Sequence, residues 1–222
     1  MKIRGILAVG ALAALAGTAS ADVILTWGFT ELNGTYNSIT TEFTAKAENN
    51  GNLQTTGDVS RLVATTGTAL FQDGFVSGAD SSDYQMNINV FNKVGNTAQG
   101  AGSVVITDAN GDTIYADITG DWISPGFGIV YFNGLLSNVV VTDNSSDGTF
   151  DGPGGGSFSS DFSAYSNLNG ALVQLFTRTG VGFFNTSFSN VTTLVSANVV
   201  PTPGSLALVG VAGLLAARRR SR

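Results

Sequence analysis

The sequence predicts an all-β protein, and three features lead to that prediction. Thr, Ser, Asn, Gly, Val and Phe dominate the central part of the chain, a composition typical of strands and tight turns. Gly or Asn interrupts the apolar runs every 8 to 14 residues, as expected of short strands joined by turns. The periodic pattern of amphipathic helices is rare there. We therefore expect a single antiparallel β-sandwich or flattened barrel, jelly-roll-like, since these forms protect the edges of a large sheet.

Eleven runs of residues fit this pattern, and each is rich in β-branched or aromatic residues between turn residues. These candidate strands are residues 23–29, 36–44, 59–66, 84–91, 103–107, 113–119, 128–132, 138–142, 156–162, 171–177 and 181–194. The last run is long enough to be broken in two.

A hairpin around Asn110 and Gly111 is the clearest local unit, and two registers are compatible with it. A two-residue turn sets Ile106 opposite Tyr115, whereas a three-residue loop with a left-handed Gly111 sets Ile106 opposite Ile114. We prefer the second register because it places aliphatic pairs together on one face.

The charge and composition of residues 22–200 exclude several classes of function. This body holds all 16 acidic residues and only four basic ones, a net charge of −12. Nucleic acid is excluded as a partner, since phosphate binding depends on clustered Lys and Arg, and charge alone does not favour anionic lipid. The chain has neither His nor Cys, which excludes triads built on His, Cys nucleophiles and His-ligated zinc. Only carboxylates remain, and no pair stands out by spacing, so we expect a protein that is not an enzyme.

Residues 1–21 have the three parts of a secretory signal peptide. A basic start is followed by 11 apolar residues at 6–16, and Ala19 and Ala21 supply the small residues of a cleavage site. Eleven apolar residues are fewer than the ~17 that a membrane span needs. We expect signal peptidase to cleave after Ala21, so that the exported chain begins at Asp22.

The last 24 residues, 199–222, consist of three pieces in a fixed order. Pro201, Thr202 and Pro203 form a motif that interrupts regular structure, because proline lacks an N–H and restricts the residue before it. Residues 204–217 are apolar and predict a short transmembrane helix. A basic cluster follows, which is too costly to move through a bilayer and so stops transfer. Its members are Arg218, Arg219, Arg220 and Arg222.

An ordinary C-terminal membrane anchor is the alternative interpretation of this tail. Its 14 apolar residues form about 21 Å of helix, whereas the hydrocarbon core is ~30 Å thick. The segment is therefore too short for a relaxed membrane span.

The tail resembles the PEP-CTERM sorting domain of bacterial surface proteins, in which a Pro-Glu-Pro-like motif, a hydrophobic helix and an arginine cluster follow one another. Thr202 stands where the family usually has Glu, and the resemblance covers about a tenth of the chain. It implies an exosortase-like transpeptidase as a partner and membrane attachment through the C-terminal helix before processing. It also implies a location in the cell envelope, cell surface or exopolysaccharide and biofilm matrix of a bacterium with an outer membrane. It implies no activity.

Three segments follow from these signals. Residues 1–21 are the predicted signal peptide, residues 22–198 the all-β extracellular domain, and residues 199–222 the sorting signal.

A candidate calcium site lies at Asp143, Ser145 and Asp147, whose alternating oxygens can converge on a hard cation, with Asp151 at the ninth position. The twelfth position is a glycine, so the bidentate Glu of a complete calcium loop is missing. The alternative is a long polar turn, which needs no cofactor.

A second acidic turn carries Asp108, Asn110 and Asp112, again at alternating positions. The sixth position is Thr113 where a calcium loop has glycine, so we interpret Asp108 as a turn cap that bonds its own backbone.

Trp122 is the candidate saccharide-binding residue. It lies in a loop-like stretch with glycine and proline neighbours, and an exposed aromatic ring there could rest against a sugar face. A core position is the alternative. A carbohydrate-binding module or weakly calcium-dependent adhesin, with extracellular polysaccharide as partner, is therefore the alternative to a purely structural surface protein.

Overall fold

In the computed structural model, ten strands form one antiparallel sheet and two short strands form a separate ladder. The structure describes residues 22–72, 74, 83–165, 167–179 and 185–202. The predicted signal peptide and the predicted helix at 204–217 lie outside these residues. Within the described ranges, no helix is long and apolar enough to cross a membrane. The all-β prediction is confirmed, as is the prediction of one antiparallel sheet structure.

Several strands are longer than the sequence pattern indicated, whereas the strands within the predicted runs 59–66 and 156–162 are shorter and the predicted run 36–44 spans a turn. In chain order they are β1 Leu25–Asn37, β2 Glu42–Lys46, β3 Thr56–Arg61, β4 Gly67–Phe71, β5 Tyr84–Val94, β6 Thr97–Thr107, β7 Thr113–Gly126, β8 Ile129–Thr142, β9 Thr149–Asp151, β10 Ser157–Ser159, β11 Leu168–Arg178 and β12 Phe188–Pro201.

The sheet closes on itself through β1. One side of β1 pairs with β12, where Leu25 lies opposite Val199 and Tyr36 opposite Phe188. The last part of β1 pairs with β2, and the ladder continues through β5, β6, β7, β8 and β11 back to β12. The β3–β4 hairpin branches from the first half of β1. Among the described strands, the order around the ring follows the chain, so the jelly-roll-like order, which needs a Greek-key connection, was wrong.

The inside of the closed sheet is filled by aromatic and aliphatic side chains. Phe43 packs edge-on against Trp122 with ring centroids 5.1 Å apart, and Trp122 lies 4.7 Å from Phe132. The rings of Phe29 and Tyr84 pack with centroids 4.8 Å apart, where β5 begins. All five side chains are buried. Every described core residue lies between Ile24 and Val199, so the compact unit Val23–Thr202 contains its own core.

Small residues on β6 make room for these rings. A Cβ atom on Gly100 would lie 2.8 Å from both Phe132 and Ile88, closer than carbon atoms approach without a shift. Gly100 lies opposite Gly120, and Ala98 lies opposite Trp122. The β6 backbone can therefore approach the buried rings closely.

Two β-bulges explain why the strands predicted within β1 and β8 were too short. In β1 the buried positions run to Phe29 and resume at Leu32, because a bulge with Glu31 at a φ of 56° inserts one residue. In β8 the buried positions shift in the same way near Asn138, whose φ is 53°. The predicted strands 128–132 and 138–142 are thus one strand.

The hairpin between β6 and β7 has the register preferred from the sequence. Ile106 lies opposite Ile114, and Val105 lies opposite Tyr115. Gly111 has a φ of 92°, as the three-residue loop requires.

Antiparallel pairing places the turns at two ends of the closed sheet. The β1–β2, β5–β6 and β7–β8 turns lie together with the end of β11, and we call this the upper end. The β6–β7 and β8–β9 connections lie at the lower end with the start of β1 and the end of β12. The chain therefore leaves its last strand at the lower end.

The folded body ends four residues later than predicted. Val199 is fully buried opposite Leu25, and Pro201 is still paired with Leu168. Proline is tolerated there because it occupies the last position of the strand. The boundary expected between residues 198 and 199 therefore lies after Thr202.

Candidate functional site

The two acidic turns that were considered separately in the sequence meet at the lower end. The β6–β7 turn carries Asp108 and Asp112, and the β8–β9 loop begins at Asp143. Because Thr113 lies opposite Thr142, the residues that flank this pair are neighbours in space. We call the two segments, residues 108–112 and 143–151, the aspartate loops.

Three carboxylates of the aspartate loops form a compact group. One oxygen atom each of Asp112, Asp143 and Asp147 lies within 4.8 Å of the others. Asp112 is buried, whereas Asp143 and Asp147 are exposed. The group therefore has one fixed side chain at its base and two at the surface.

Ser145 connects the buried carboxylate to the exposed loop. Its backbone N–H donates to Asp112 Oδ1 at 2.7 Å, and its Oγ lies 3.1 Å from Asp112 Oδ2 and 3.3 Å from Asp143 Oδ1. Gly148 donates its N–H to Asp143 Oδ2 at 3.0 Å, and its φ of 79° permits the sharp turn. These bonds hold Asp143 and Ser145 beside Asp112.

Asp108 is the cap that its position predicted. Its Oδ1 accepts the backbone N–H groups of Asn110 and Asp112 at 2.8 Å each, and its Oδ2 accepts that of Asp151 at 2.6 Å. Burial raises the pKa of this carboxyl, while the three backbone hydrogen bonds act in the opposite direction. Asp108 thus joins the two aspartate loops through backbone contacts and has little capacity left for another ligand.

Asp151 lies apart from the three-carboxylate group. The Asn110 side chain separates it from Asp147, donating at 2.9 Å to Asp147 Oδ2 and at 2.9 Å to Asp151 Oδ2. Thr149 Oγ1 lies 2.9 Å from both carboxylates. Phe150, between them in the chain, is buried and stacks on Phe158 at 5.2 Å, which fixes the end of the loop.

The aspartate loops hold their negative charge without help from a basic side chain. Within the described ranges, every hydrogen bond to these five aspartates comes from a backbone N–H, a hydroxyl or an asparagine amide. The N–H and hydroxyl of Thr149 are the main cause that lowers the pKa of Asp147. Carboxylate oxygens are the ligand type that suits a hard cation such as Ca²⁺.

The structure brings together some of the residues that were predicted to bind calcium. Asp143, Ser145 and Asp147 lie together, Asp151 is turned towards Asn110, and Asp112 takes the place that Asp151 was given. Asp112 was missed because it was tested only as a member of its own turn. The signal that could have found it is the pairing of the two strands next to the turns.

The prediction that Trp122 binds saccharide is wrong, and its core alternative is correct. Trp122 is fully buried within β7 between Phe43 and Phe132, so no sugar can reach its ring. The flanking Gly120 does not mark a loop, because a Cβ there would lie 2.1 Å from the Asn133 carbonyl oxygen. The glycine permits close strand packing.

Two of the three predicted sorting-motif residues belong to the folded body. Pro201 ends β12, and the Thr202 N–H donates to the Asn167 carbonyl at 2.9 Å. Thr202 also lines a groove of about 710 Å³ together with Val139, Phe162 and Tyr165. The other residues predicted to act at the termini lie outside the described residues. They are Ala19, Ala21, Pro203 and the arginine cluster.

Comparison with protein-family models, curated proteins and solved structures gave no match to this chain.

Proposed function

We propose that this is an exported, non-catalytic protein of the bacterial cell surface or extracellular matrix, sorted by an exosortase-like system that acts on its tail. The observation that carries the proposal is the position of the motif relative to the fold. The last strand ends at Pro201, and the apolar segment and the arginines come after Pro203 in the sequence. A transpeptidase acting at this point would separate a folded body from its address without cutting a strand.

The packing of the body supports a structural role. Aromatic rings occupy the inside of the closed sheet. The carboxylates of the aspartate loops accept hydrogen bonds from other residues of these two loops. A raised catalytic pKa needs an acid in an apolar pocket, and Asp108, a buried acid whose pKa is raised by burial, instead accepts three backbone N–H groups. The net charge of −12 keeps such a body soluble and hydrated in a polymer matrix.

Surface delivery in a bacterium that has an exosortase-like enzyme tests this proposal. We expect the full chain to reach the surface, and a chain ending at Thr202 to be exported but not retained in the envelope. Thr202→Glu, which restores the usual family residue, should be processed at least as well as the native chain. Equal surface delivery in a strain that lacks the enzyme would contradict the sorting proposal.

We propose calcium binding by the aspartate loops as a second function, because Asp112, Asp143 and Asp147 converge within 4.8 Å. A divalent cation would offset the mutual repulsion of these carboxylates. Affinity would be weak, since the bidentate ligand of a complete calcium loop is missing. The bound ion would stiffen the lower end, as a calcium-dependent adhesin requires.

Saccharide binding remains the alternative, with a different aromatic pair. Tyr131 and Phe176 lie opposite each other on the outer face, with ring centroids 5.5 Å apart, and Tyr131 is 39% exposed. The neighbouring Asn133 and Asp121 are also exposed and offer hydrogen-bonding groups beside the rings. An extended saccharide of the matrix is the ligand that this flat surface suits.

A further inference from the structure

Among the described residues, three apolar side chains at the upper end of the closed sheet contact little of the protein. Phe127 is 95% exposed, Ile39 91% and Val94 75%. Each lies in or beside a different turn: Ile39 in the β1–β2 turn, Val94 at the β5–β6 turn and Phe127 in the β7–β8 turn. We call these three residues the apolar crown.

Hydrogen bonds tie each turn of the apolar crown to another turn or to a neighbouring strand. The N–H of Ser38 donates to Ser187 Oγ at 2.9 Å, which ties the first turn to the start of β12. The N–H of Ser124 donates to the Asn96 carbonyl at 2.9 Å, which ties the second turn to the third. Adjacent turns are two strands apart, so neighbouring tips are separated by about 10 Å along the rim.

The backbone conformation of Phe127 is energetically unfavourable for a phenylalanine. Its φ is 57°, and the flanking Gly126 and Gly128 have φ values of 107° and 70°. A bulky side chain rarely adopts this left-handed conformation, in which Gly or Asn is favoured. With 95% of its surface exposed, the ring gains almost no packing within the body to offset that cost. An unfavourable residue without an internal benefit indicates a role towards an external partner.

The charges of the body are distributed unequally between its two ends. In the described residues of the upper turns, 37–43, 91–97, 123–130, 177–179 and 185–189, the charged residues are Lys93, Arg178 and Glu42, a formal charge of +1. Five aspartates lie in the aspartate loops at the lower end. Two of the four basic residues of an otherwise acidic body are therefore beside the apolar crown.

We propose that the apolar crown inserts into the surface of a lipid bilayer that contains anionic headgroups. Separate tips can each enter the acyl boundary of a fluid layer, whereas the core of a protein interface needs a continuous apolar patch. Lys93 precedes Val94, and Arg178 lies opposite Ile129 beside the β7–β8 turn, so both cations are close to tips of the apolar crown and can attract the negative phosphates of lipid headgroups. The charge distribution also orients the body, because the aspartate loops are kept at the far end from the anionic surface.

This inference is independent of the sorting proposal. The chain leaves the body at the lower end, whereas the apolar crown lies at the upper end. The test therefore uses the chain from Asp22 to Thr202, which contains its own core and lacks the apolar tail. Failure to bind lipid would leave the tail processing unaffected, and the reverse also holds.

Co-sedimentation with vesicles of mixed phosphatidylcholine and phosphatidylglycerol tests the proposal, with pure phosphatidylcholine vesicles as the second arm. We expect the native body to bind the mixed vesicles more strongly, and salt to weaken that difference. Phe127→Asn should weaken binding by about tenfold or more, since it removes the aromatic ring that the bilayer would bury. Its melting temperature should not fall, because Asn suits the left-handed conformation, so lost binding cannot be attributed to unfolding.

Leu135→Thr is the matched control. Leu135 is 66% exposed but lies on the wall of the sheet in β8, away from the apolar crown, so its replacement should leave vesicle binding unchanged. The proposal is overturned if the native body binds neither vesicle, or if Phe127→Asn binds as the native body does. It is also overturned if sedimentation velocity without vesicles shows that the native body is a dimer and that Phe127→Asn is a monomer, since Phe127 would then hold two copies of the chain together.

Discussion

Thr113 lies directly opposite Thr142 where β7 begins and β8 ends. This pair brings Asp112 and Asp143, which flank it, into one group with Asp147. The candidate cation site is therefore a consequence of strand register, since its buried carboxylate and its exposed carboxylates come from turns about 30 residues apart in the sequence.

Calcium should raise the melting temperature of the native body. At a calcium concentration about ten times Kd, the gain in the free energy of unfolding is about 1.4 kcal/mol, which shifts the melting temperature of a domain of this size by about 3–6 °C. Asp112→Asn should abolish most of the difference between calcium and chelator, because it removes the buried carboxylate. Asp117→Asn, on the outer face, is the matched control and should keep the full shift. Identical melting curves of the native body in calcium and in chelator would show that these loops form a polar turn and bind no calcium.

The stability contributed by Asp108 should depend on pH in a defined direction. Burial raises its pKa in the folded state, so the folded body binds a proton more readily than the unfolded chain. Its contribution to the free energy of unfolding is therefore largest below its unfolded pKa of about 3.9 and falls as pH rises through the raised value. Asp108→Asn, which leaves the Asp151 N–H without its acceptor, should cost about 1–3 kcal/mol.

Urea unfolding at several pH values measures this effect. The difference between the native body and Asp108→Asn should become smaller from pH 4 to pH 7. A difference that grows over that range would show that the folded state favours the ionised form.

Arg61 should be essential for the lower end of the fold. The residue is 6% exposed. Its guanidinium donates to the carbonyls of Ser159, Asp161 and Ala64 at 2.7, 2.6 and 2.9 Å. The guanidinium carbon lies 4.3 Å from the centroid of the Phe162 ring. Arg61→Ala would leave three carbonyls without this donor and should cost about 3 kcal/mol or more. Arg61→Lys should recover only part of this, since an ammonium cannot reproduce the planar fork. Equal stability of the Lys and native proteins in chemical denaturation would argue against the bonding geometry.

Gly100 should tolerate no side chain. Gly100→Ala places a methyl group 2.8 Å from Phe132 and Ile88 and should cost about 1–3 kcal/mol through overpacking. Gly28→Ala is the matched control, because the nearest heavy atom to its new Cβ would be 3.9 Å away. A thermal melt of the two variants should show a clear loss for the first and little change for the second. Similar melts would mean that the rings beside β6 can move aside.

The sequence predicted the class of the fold because composition and turn residues act locally. Alternation identified most strands, and the left-handed Gly111 set the correct hairpin register. The lengths of β1 and β8 were underestimated because the bulges at Glu31 and Asn138 shift the alternation by one residue without ending the strand. Local patterns do not reveal such shifts, since the compensation comes from the neighbouring strand.

The candidate site was predicted in part for a related reason. Asp143, Ser145 and Asp147 are close in sequence, and their spacing was sufficient to predict them as a group. Asp112 and the bridging Asn110 depend on the pairing of β7 with β8, which sequence alternation does not specify. Trp122 was assigned to a loop because of its glycine and proline neighbours, although Gly120 is required for close strand packing. Both errors concern contacts between strands.

Intact-mass analysis of the mature protein, isolated from the surface of the cells that express it, tests the central proposal most directly. We expect a chain that begins at Asp22 and lacks the arginine cluster, because both terminal signals have been removed. The measurement also locates the C-terminal cut relative to Thr202, where the folded body ends. A mature surface protein that still carries residues 218–222 would contradict the account and make the tail a plain membrane anchor.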